Sequence, residues 1–187
     1  VTGVSDLSPI DEHLALIADM VPDAQSVGVI YNAGESNSVS MVNLLNTEAE
    51  AQGFTVEEAT VSSSADVVTA AESLVGKVDA IYIPTDNTVV SALESVIQVL
   101  NDNQLPIFAG DTDSVERGAI ATASFDYYEV GRQTGDMAVR ILSGENPGDM
   151  PVELASTVDL AINLAAAEAM GVTVPDAIKD SADQVFE

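Results

Sequence analysis

Apolar runs of strand length end in clusters of small polar residues at three places along the chain. The runs and the clusters that follow them are Val27–Tyr31 into Asn32–Ser38, Ala80–Pro84 into Thr85–Thr88, and Pro106–Ala109 into Gly110–Ser114. In open parallel sheets, ligands bind outside the carboxyl ends of the strands, where loops and helix N-termini present free N–H groups. The pattern therefore predicts a ligand site built from these three polar clusters.

Segments with helical or strand periodicity alternate along the rest of the chain. Helices are predicted over 9–21, 36–52, 64–75, 85–100, 127–142, 163–170 and 175–187, and further extended segments over 55–61, 119–125 and 151–162. Strand and helix alternate, so we expect an α/β fold with a parallel sheet and right-handed crossovers. The run Asp79–Pro84 is apolar almost throughout, which is typical of a central strand covered on both faces.

The charge balance is extreme for a chain of 187 residues, with 31 Asp and Glu against five Lys and Arg and a formal charge of −26. Such a surface makes nucleic acid and anionic membranes poor partners. The sequence leaves two explanations of this acidity open. Either the protein works in strong salt, where the Debye length falls to about 3 Å near 1 M, or its surface is simply acidic and soluble.

Sequence motifs point away from catalysis. Cys is absent, and the chain has no Gly-x-Ser-x-Gly elbow, P-loop or dinucleotide fingerprint. The one histidine, His13, lies beside the apolar stripe of Ile10, Leu14 and Ile17, so we expect a surface or boundary residue and not a general base. We predict no catalytic residue, no cofactor and no resident metal.

The first two clusters carry the side chains suited to a small polar solute. Ser36, Asn37 and Ser38 lie at a helix start, where an anionic group could dock. In the second cluster, Asp86 could accept from an ammonium group while Asn87 and Thr88 bind a carboxylate. Helix capping alone explains one polar residue in each cluster, but not three or four in succession.

The third cluster has two interpretations. Asp111 and Asp113 alternate, so both could reach one hard cation. A hinge or ligand loop with Asp111 facing the solute is favoured, because Asp is abundant and chance pairs are expected. Arg117, which follows, is predicted to form a surface ion pair. Asp126 and the two tyrosines after it either line an apolar pocket or pack the first turn of a helix.

Five motifs in order resemble one known family, the ABC transporter substrate-binding proteins of the tryptophan/tyrosine-binding type. The segments that carry the resemblance are Val1–Asp6, Tyr31–Ser38, Val78–Thr88, Ala109–Ser114 and Phe125–Gly131. The resemblance spans nearly the whole chain, which makes it far more specific than one short pattern.

The resemblance implies a type I periplasmic-binding-protein fold, with two Rossmann-like lobes that close on a small solute. The solute would be an amino acid, with aromatic ones included, delivered to an ABC permease by an extracytoplasmic, monomeric protein. The residues expected to line the cleft are Asn32, Ser36, Asn37, Ser38, Thr85, Asp86, Asn87, Thr88, Asp111, Thr112 and Asp126.

Proteins of this type begin with several strands of the first lobe, whereas this chain starts at the crossover into the second. We therefore expect a C-terminal portion with an incomplete first lobe. The expected divisions are 1–8 for the crossover, 9–110 for the second lobe, 111–118 for the hinge crossing, 119–148 for the returning part of the first lobe, and 149–187 for the C-terminal crossover and helices.

Two other functions remain open from the sequence. A ligand-sensing regulatory domain of the same fold would present the same polar strand ends, although the acidity argues against nearby DNA. A Mg²⁺-dependent, flavodoxin-like enzyme would use Asp111 and Asp113 as metal ligands.

Overall fold

The computed structural model describes residues 1–187 as alternating strands and helices. The strands are β1 (Val4–Ser5), β2 (Ser26–Asn32), β3 (Thr55–Val61), β4 (Ala80–Ile83), β5 (Ile107–Ala109), β6 (Ala121–Ser124), β7 (Glu153–Leu154), β8 (Asp159–Asn163) and β9 (Gln184–Phe186). The helices are α1 (Ile10–Met20), α2 (Ser36–Gln52), α3 (Val67–Leu74), α4 (Asn87–Val90), α5 (Leu93–Asp102), α6 (Thr112–Glu116), α7 (Tyr127–Leu142), α8 (Leu164–Ala169) and α9 (Asp176–Ser181). None of these helices is long and apolar enough to cross a membrane.

A four-stranded parallel sheet in the order β3-β2-β4-β5 forms the centre of the molecule. All four residues of β4 are buried, as the apolar run predicts for a central strand. Helix α1 packs beside α2, and α3 packs beside α5, which places the helices over the sheet in pairs. Because the four strands are parallel, the loops after β2, β4 and β5 lie together at the edge of the sheet formed by the carboxyl ends of the strands.

A second sheet, of three strands in the order β6-β8-β9, adjoins the central sheet beside β5. The Ile120 N–H donates to the carbonyl of Ile107 at 2.7 Å, and the Asn163 N–H donates to the carbonyl of Ile120 at 2.8 Å. Residues on both sides of this junction belong to one apolar core, which includes Ile107, Ile120 and Ile162. Strand β6 therefore packs beside β5 and shares the apolar core of the central sheet.

One pair of neighbouring strands is antiparallel, unlike the uniformly parallel sheet expected from the sequence. Strand β8 runs antiparallel to β6, and β9 then runs parallel to β8. The helix between β6 and β8 is α7, which packs beside β1 instead of crossing over the sheet. Without a covering crossover helix, the rule that favours parallel neighbours does not apply.

A smaller group of elements lies apart from the main core. Strand β1 pairs in parallel with β7, and the Thr2 hydroxyl donates to the Pro151 carbonyl at 2.7 Å. Met137 of α7 and Met150 are buried here but lie outside the main apolar cluster. Residues near the N-terminus and residues 150–154 thus form one unit with α7.

Two predicted helices differ in the structure. The helix predicted over 85–100 is divided into α4 and α5, because Ala92 takes a non-helical conformation with φ −125° and ψ 22°. The segment 175–187 is helical only in α9 and ends in β9, where Val185 pairs with Ile162. Pairing with a neighbouring strand outweighs the weak helical preference of this short terminal segment.

The prediction that His13 lies at the surface or boundary is wrong. His13 is 2% exposed, and its Nε2 lies 2.7 Å from the carbonyl oxygen of Ala123 on β6. The residue stands three positions after Ile10 and four before Ile17, so it shares the buried face of α1. Burial lowers the pKa of His13 to about 4, although the bond to Ala123 and the charge of Asp11 act in the opposite direction.

Candidate functional site

The loops after β2 and β4 are in direct contact, as the sequence pattern suggests. Asn32 Nδ2 donates to Thr88 Oγ1 at 2.9 Å, and Asn37 Nδ2 donates to the Thr85 carbonyl at 3.0 Å. Asn32 Oδ1 in turn accepts from the Gly34 N–H at 2.8 Å, which closes the tight turn after β2. These bonds hold two polar loops together at the carboxyl edge of the sheet.

The structure gives Asp86 a different role from the predicted contact with an ammonium group. Asp86 is fully buried, and its Oδ2 accepts from the Asn32 N–H at 2.7 Å and from the Ser38 hydroxyl at 2.6 Å. Its Oδ1 accepts from the Val89 N–H at 2.8 Å, which caps α4. Ser38 is also fully buried. Both side chains therefore support the loops from behind and have no surface left for a solute.

Glu35 makes contacts at this site that the sequence did not predict. Its Oε2 accepts from the Asn87 N–H at 3.1 Å and from Asn87 Nδ2 at 2.6 Å. Its Oε1 accepts from the Thr88 N–H at 3.1 Å and from Thr88 Oγ1 at 2.8 Å. The residue stands at the N-cap of α2, yet its side chain makes no bond to that helix. Its carboxylate instead accepts from the first two N–H groups of α4, across the loop.

Glu35 is held in its ionised form by these four bonds. Desolvation acts to raise its pKa, but hydrogen bonds from the side chains and backbone of Asn87 and Thr88 outweigh it, and the pKa is lowered. An internal anion thus occupies the N-terminal end of α4, where the sequence suggested that a ligand carboxylate binds.

A hollow of about 530 Å³ separates the second polar loop from the third. Its lining residues include Thr85, Asn87, Asp111 and Asp113. Asp111 caps α6, with Oδ1 accepting from the Ser114 N–H and Oδ2 from the Ser114 hydroxyl, both at 2.8 Å. The hollow therefore combines an exposed amide with two carboxylates.

A second hollow of about 320 Å³ brings together Asp111, Thr112 and Asp126. Ser124, Tyr127 and Asp159 also line it. Asp126 Oδ1 accepts from the Tyr128 N–H at 2.7 Å and so caps α7. The pKa of Asp159 is raised by burial and, to a smaller extent, by the charges of Asp183 and Asp126. The surroundings of this hollow thus disfavour additional negative charge.

Not every predicted residue lines these two hollows. Asn32 and Glu35 line a larger open groove of about 1050 Å³, which extends over the ends of β2 and β3. Ser36 and Asn37 are exposed at the start of α2, whereas Thr88 is half-buried under Glu35. The eleven predicted residues thus all lie at or after the carboxyl ends of β2, β4, β5 and β6.

Four of the five cationic side chains are already paired with carboxylates. The pairs are Arg117 with Glu94, Arg132 with Glu129, Arg140 with Glu145 and Glu153, and Lys179 with Asp176. The predicted surface pairing of Arg117 is confirmed, since Nε and Nη2 contact Glu94 at 2.7 and 2.9 Å. Its Nη2 also donates to the Val90 carbonyl at 2.8 Å. The guanidinium at the edge of the 530 Å³ hollow is therefore committed to internal partners.

The paired carboxylates of the third loop do not make a metal site here. No group of three or more His, Asp or Glu side chains is placed so that it could hold a metal ion.

Comparisons with known proteins agree with the fold. The ABC transporter substrate binding protein family matches residues 1–186. The tyrosine-binding protein of Clostridioides difficile (strain R20291) is 40% identical over 163 residues, which are 87% of this chain and 47% of that protein. The chain spans about half the length of the curated relatives it matches.

Comparison with solved structures supports the same family. A conserved domain protein of Vibrio cholerae is 45% identical, with a TM-score of 0.88 over 99% of this chain and 62% of that one. An ABC domain from Streptococcus pneumoniae in complex with L-Trp is 35% identical, with a TM-score of 0.87 over 100% of this chain and 63% of that one. LacI family regulators at 12% and 17% identity, with TM-scores of 0.56 and 0.61, share the fold alone. The predicted α/β class of the type I periplasmic-binding-protein kind is confirmed, and the chain belongs to the ABC transporter substrate-binding protein family.

Proposed function

We propose that this protein is the solute-binding component of an ABC importer and that its solute is an aromatic amino acid, tryptophan or tyrosine. The observation that carries the proposal is the likeness to the L-Trp complex, which extends over 100% of this chain at 35% identity. The 40% identical tyrosine-binding protein supports the same class of solute.

The polar edge of the sheet would form one wall of the solute cleft. The predicted residues that keep exposed or half-buried surface are Asn32, Ser36, Asn37, Thr85, Asn87, Thr88, Asp111, Thr112 and Asp126. Asn32 and Thr88 are bonded to each other, and Thr88 also to Glu35, so we propose that the solute contacts are drawn from the other seven. Asp86 and Ser38 would act behind them as supports. The wall has carboxylates and no uncommitted guanidinium, so it favours the ammonium end of an amino acid.

The packing supports a division of the chain that differs from the one expected. We propose that the second lobe extends from α1 through β6 and includes β8 and β9, since these strands share one core. The crossing to the first lobe would then follow β6, near Phe125 and Asp126, and not lie at 111–118. The unit of β1, α7 and β7 would belong to the first lobe.

The location, oligomeric state and membrane partner that we propose are those typical of the family. The protein would work outside the cytoplasm as a monomer, release its solute to an ABC permease in the membrane, and carry out no catalysis. A regulatory domain of the same fold is less favoured, because the LacI-like proteins at 12% and 17% identity resemble the chain in fold alone.

Isothermal titration of the purified full-length protein with L-Trp, L-Tyr, L-Phe, L-Leu and L-Glu tests the proposal. We expect saturable binding of L-Trp or L-Tyr and a raised melting temperature, because a solute at a hundredfold excess over its Kd stabilises the native state by about 2.7 kcal/mol. Asp126→Asn should weaken that binding, whereas Asp23→Asn, an exposed carboxylate in the turn between α1 and β2, should not. Absence of binding by every aromatic amino acid would overturn the proposal.

A further inference from the structure

The donors of the second polar loop are used internally. Glu35 accepts from both backbone N–H groups and both side chains of Asn87 and Thr88, at 2.6 to 3.1 Å. A solute carboxylate placed on these donors would have to displace Glu35 and would meet its charge. The loop therefore does not offer the anion site that a helix start suggests.

The same contact fixes the orientation of the Asn87 amide. An ionised carboxylate only accepts hydrogen bonds, so the group that faces Glu35 at 2.6 Å has to be the amide nitrogen. The amide oxygen of Asn87 is then left without a protein partner, on an exposed residue that lines the 530 Å³ hollow. Rotation of the amide would set its oxygen against a carboxylate oxygen, which is repulsive.

The carboxylates that line the same hollow as that oxygen are hydrogen-bond acceptors too. Asp111 and Asp113 line the same space. The one cation there, Arg117, donates to both oxygens of Glu94 and to the Val90 carbonyl. A group that satisfies an amide oxygen and neighbouring carboxylates at once has several N–H donors and a positive charge, which describes an alkylammonium.

We infer that Glu35 is a positioning residue that turns Asn87, so that the Asn87 amide oxygen and Asp111 accept hydrogen bonds from the ammonium group of the bound amino acid. This inference rests on the proposed function for the identity of the solute. It reverses the expectation from the sequence, in which Asn87 and Thr88 bind the carboxylate. The carboxylate of the solute is left to other parts of the cleft.

The first test needs no solute. In ¹⁵N-correlated NMR spectra of the full-length protein, the side-chain amide protons of Asn87 should be shifted downfield and protected from exchange by the bond to Glu35. Glu35→Gln replaces one acceptor oxygen by an NH2 group and removes the charge, so it should weaken both effects. Glu58→Gln is the matched control, because Glu58 accepts from the Tyr31 hydroxyl and Asn46 Nδ2 on another part of the sheet. An Asn87 side-chain spectrum that is the same in Glu35→Gln and wild type would overturn the assigned orientation.

The second test separates the ammonium from the carboxylate. Affinities of wild type, Glu35→Gln and Glu58→Gln are measured for L-Trp, for tryptamine, which lacks the carboxylate, and for indole-3-propionate, which lacks the amine. We expect Glu35→Gln to lose about tenfold or more for L-Trp and tryptamine, the range typical of a bond to a charged group, with indole-3-propionate unchanged. Glu58→Gln should match wild type throughout.

The outcomes distinguish this inference from the proposed function. Equal losses for all three compounds, or no loss for tryptamine, would overturn the ammonium assignment while leaving an aromatic amino acid as the solute. If wild type binds none of the three, the series is repeated with L-Tyr, tyramine and 3-(4-hydroxyphenyl)propionate. If it binds none of these either, the proposed function fails and the ammonium assignment with it, and the NMR result alone decides the orientation of Asn87. Should Glu35→Gln not fold, Asn87→Leu replaces it, and it should show the same selective loss for the two amines.

Discussion

Replacing Asp86 by alanine removes the acceptor that joins the loop after β2 to α4. In wild type the carboxylate accepts from the Asn32 N–H, the Ser38 hydroxyl and the Val89 N–H at 2.6 to 2.8 Å. Ser38 and Val89 are fully buried, so neither donor gains water when the acceptor is lost. Two buried donors at about 1.5 kcal/mol each and one partly exposed donor at about 1 kcal/mol give a destabilisation of about 4 kcal/mol.

Asp79 offers a matched control at the opposite edge of the sheet. It also accepts three bonds, from the Gln25 N–H and from the N–H and hydroxyl of Ser26, but it is exposed. Water replaces the lost acceptor there, so we expect Asp79→Ala to cost about 1 kcal/mol. The two variants differ mainly in burial and not in the number of bonds.

Urea unfolding followed by circular dichroism measures both free energies on the same protein. The comparison is valid if the slopes of free energy against urea agree between variants, since a changed slope indicates a changed unfolded or native state. A loss below about 1.5 kcal/mol for Asp86→Ala, or equal losses for the two variants, would refute the reasoning that burial sets the cost.

Three further outcomes follow from the structure. A Cβ on Gly28 would lie 2.6 Å from Ile81 Cδ1, so Gly28→Ala should destabilise by about 1 to 3 kcal/mol in urea unfolding, whereas Gly3→Ala, with nothing within 4 Å, should be neutral. The pKa of buried His13 lies at about 4, below its ordinary 6.5, so the unfolded state binds the extra proton between these values. Stability should thus fall by up to about 3 kcal/mol as pH drops through that window, and parallel pH profiles for wild type and His13→Gln would contradict this. With a formal charge of −26, the urea midpoint should rise between 0.1 and 1 M NaCl as the Debye length falls from about 10 to about 3 Å, and an unchanged or lower midpoint would show that self-repulsion is not limiting.

The strand ends could be predicted from the sequence because they rest on local patterns. The apolar run at Ala80–Ile83 is long, is bounded by polar residues and contains no competing helical spacing, so its central position followed directly. The loops after β2 and β4 could be placed together for a similar reason, since parallel strands bring their carboxyl ends to one edge.

The features that were missed depend on contacts between distant segments. Val185 becomes part of a strand because β8 offers it an open edge. The spacing of His13 from Ile10 and Ile17 already places it on the buried face of α1, but the acceptor that makes its burial tolerable, the Ala123 carbonyl, lies on distant β6. Glu35 is the most instructive case, because its partners are 52 and 53 residues away in the chain. Nothing in the local sequence around Glu35 distinguishes a side chain that points to solvent from one that reaches another loop.

The pairing of Arg117, Arg132, Arg140 and Lys179 with neighbouring carboxylates also determines how a solute approaches. Because carboxylates neutralise these cations locally, the electrostatic potential outside the polar loops stays negative over a wide area. A zwitterion has no net charge, so this field does not draw it in, but the field exerts a torque on its dipole. If the solute is an amino acid, as proposed, this torque would favour an approach with the ammonium group leading, and the preference would weaken as salt screens the field.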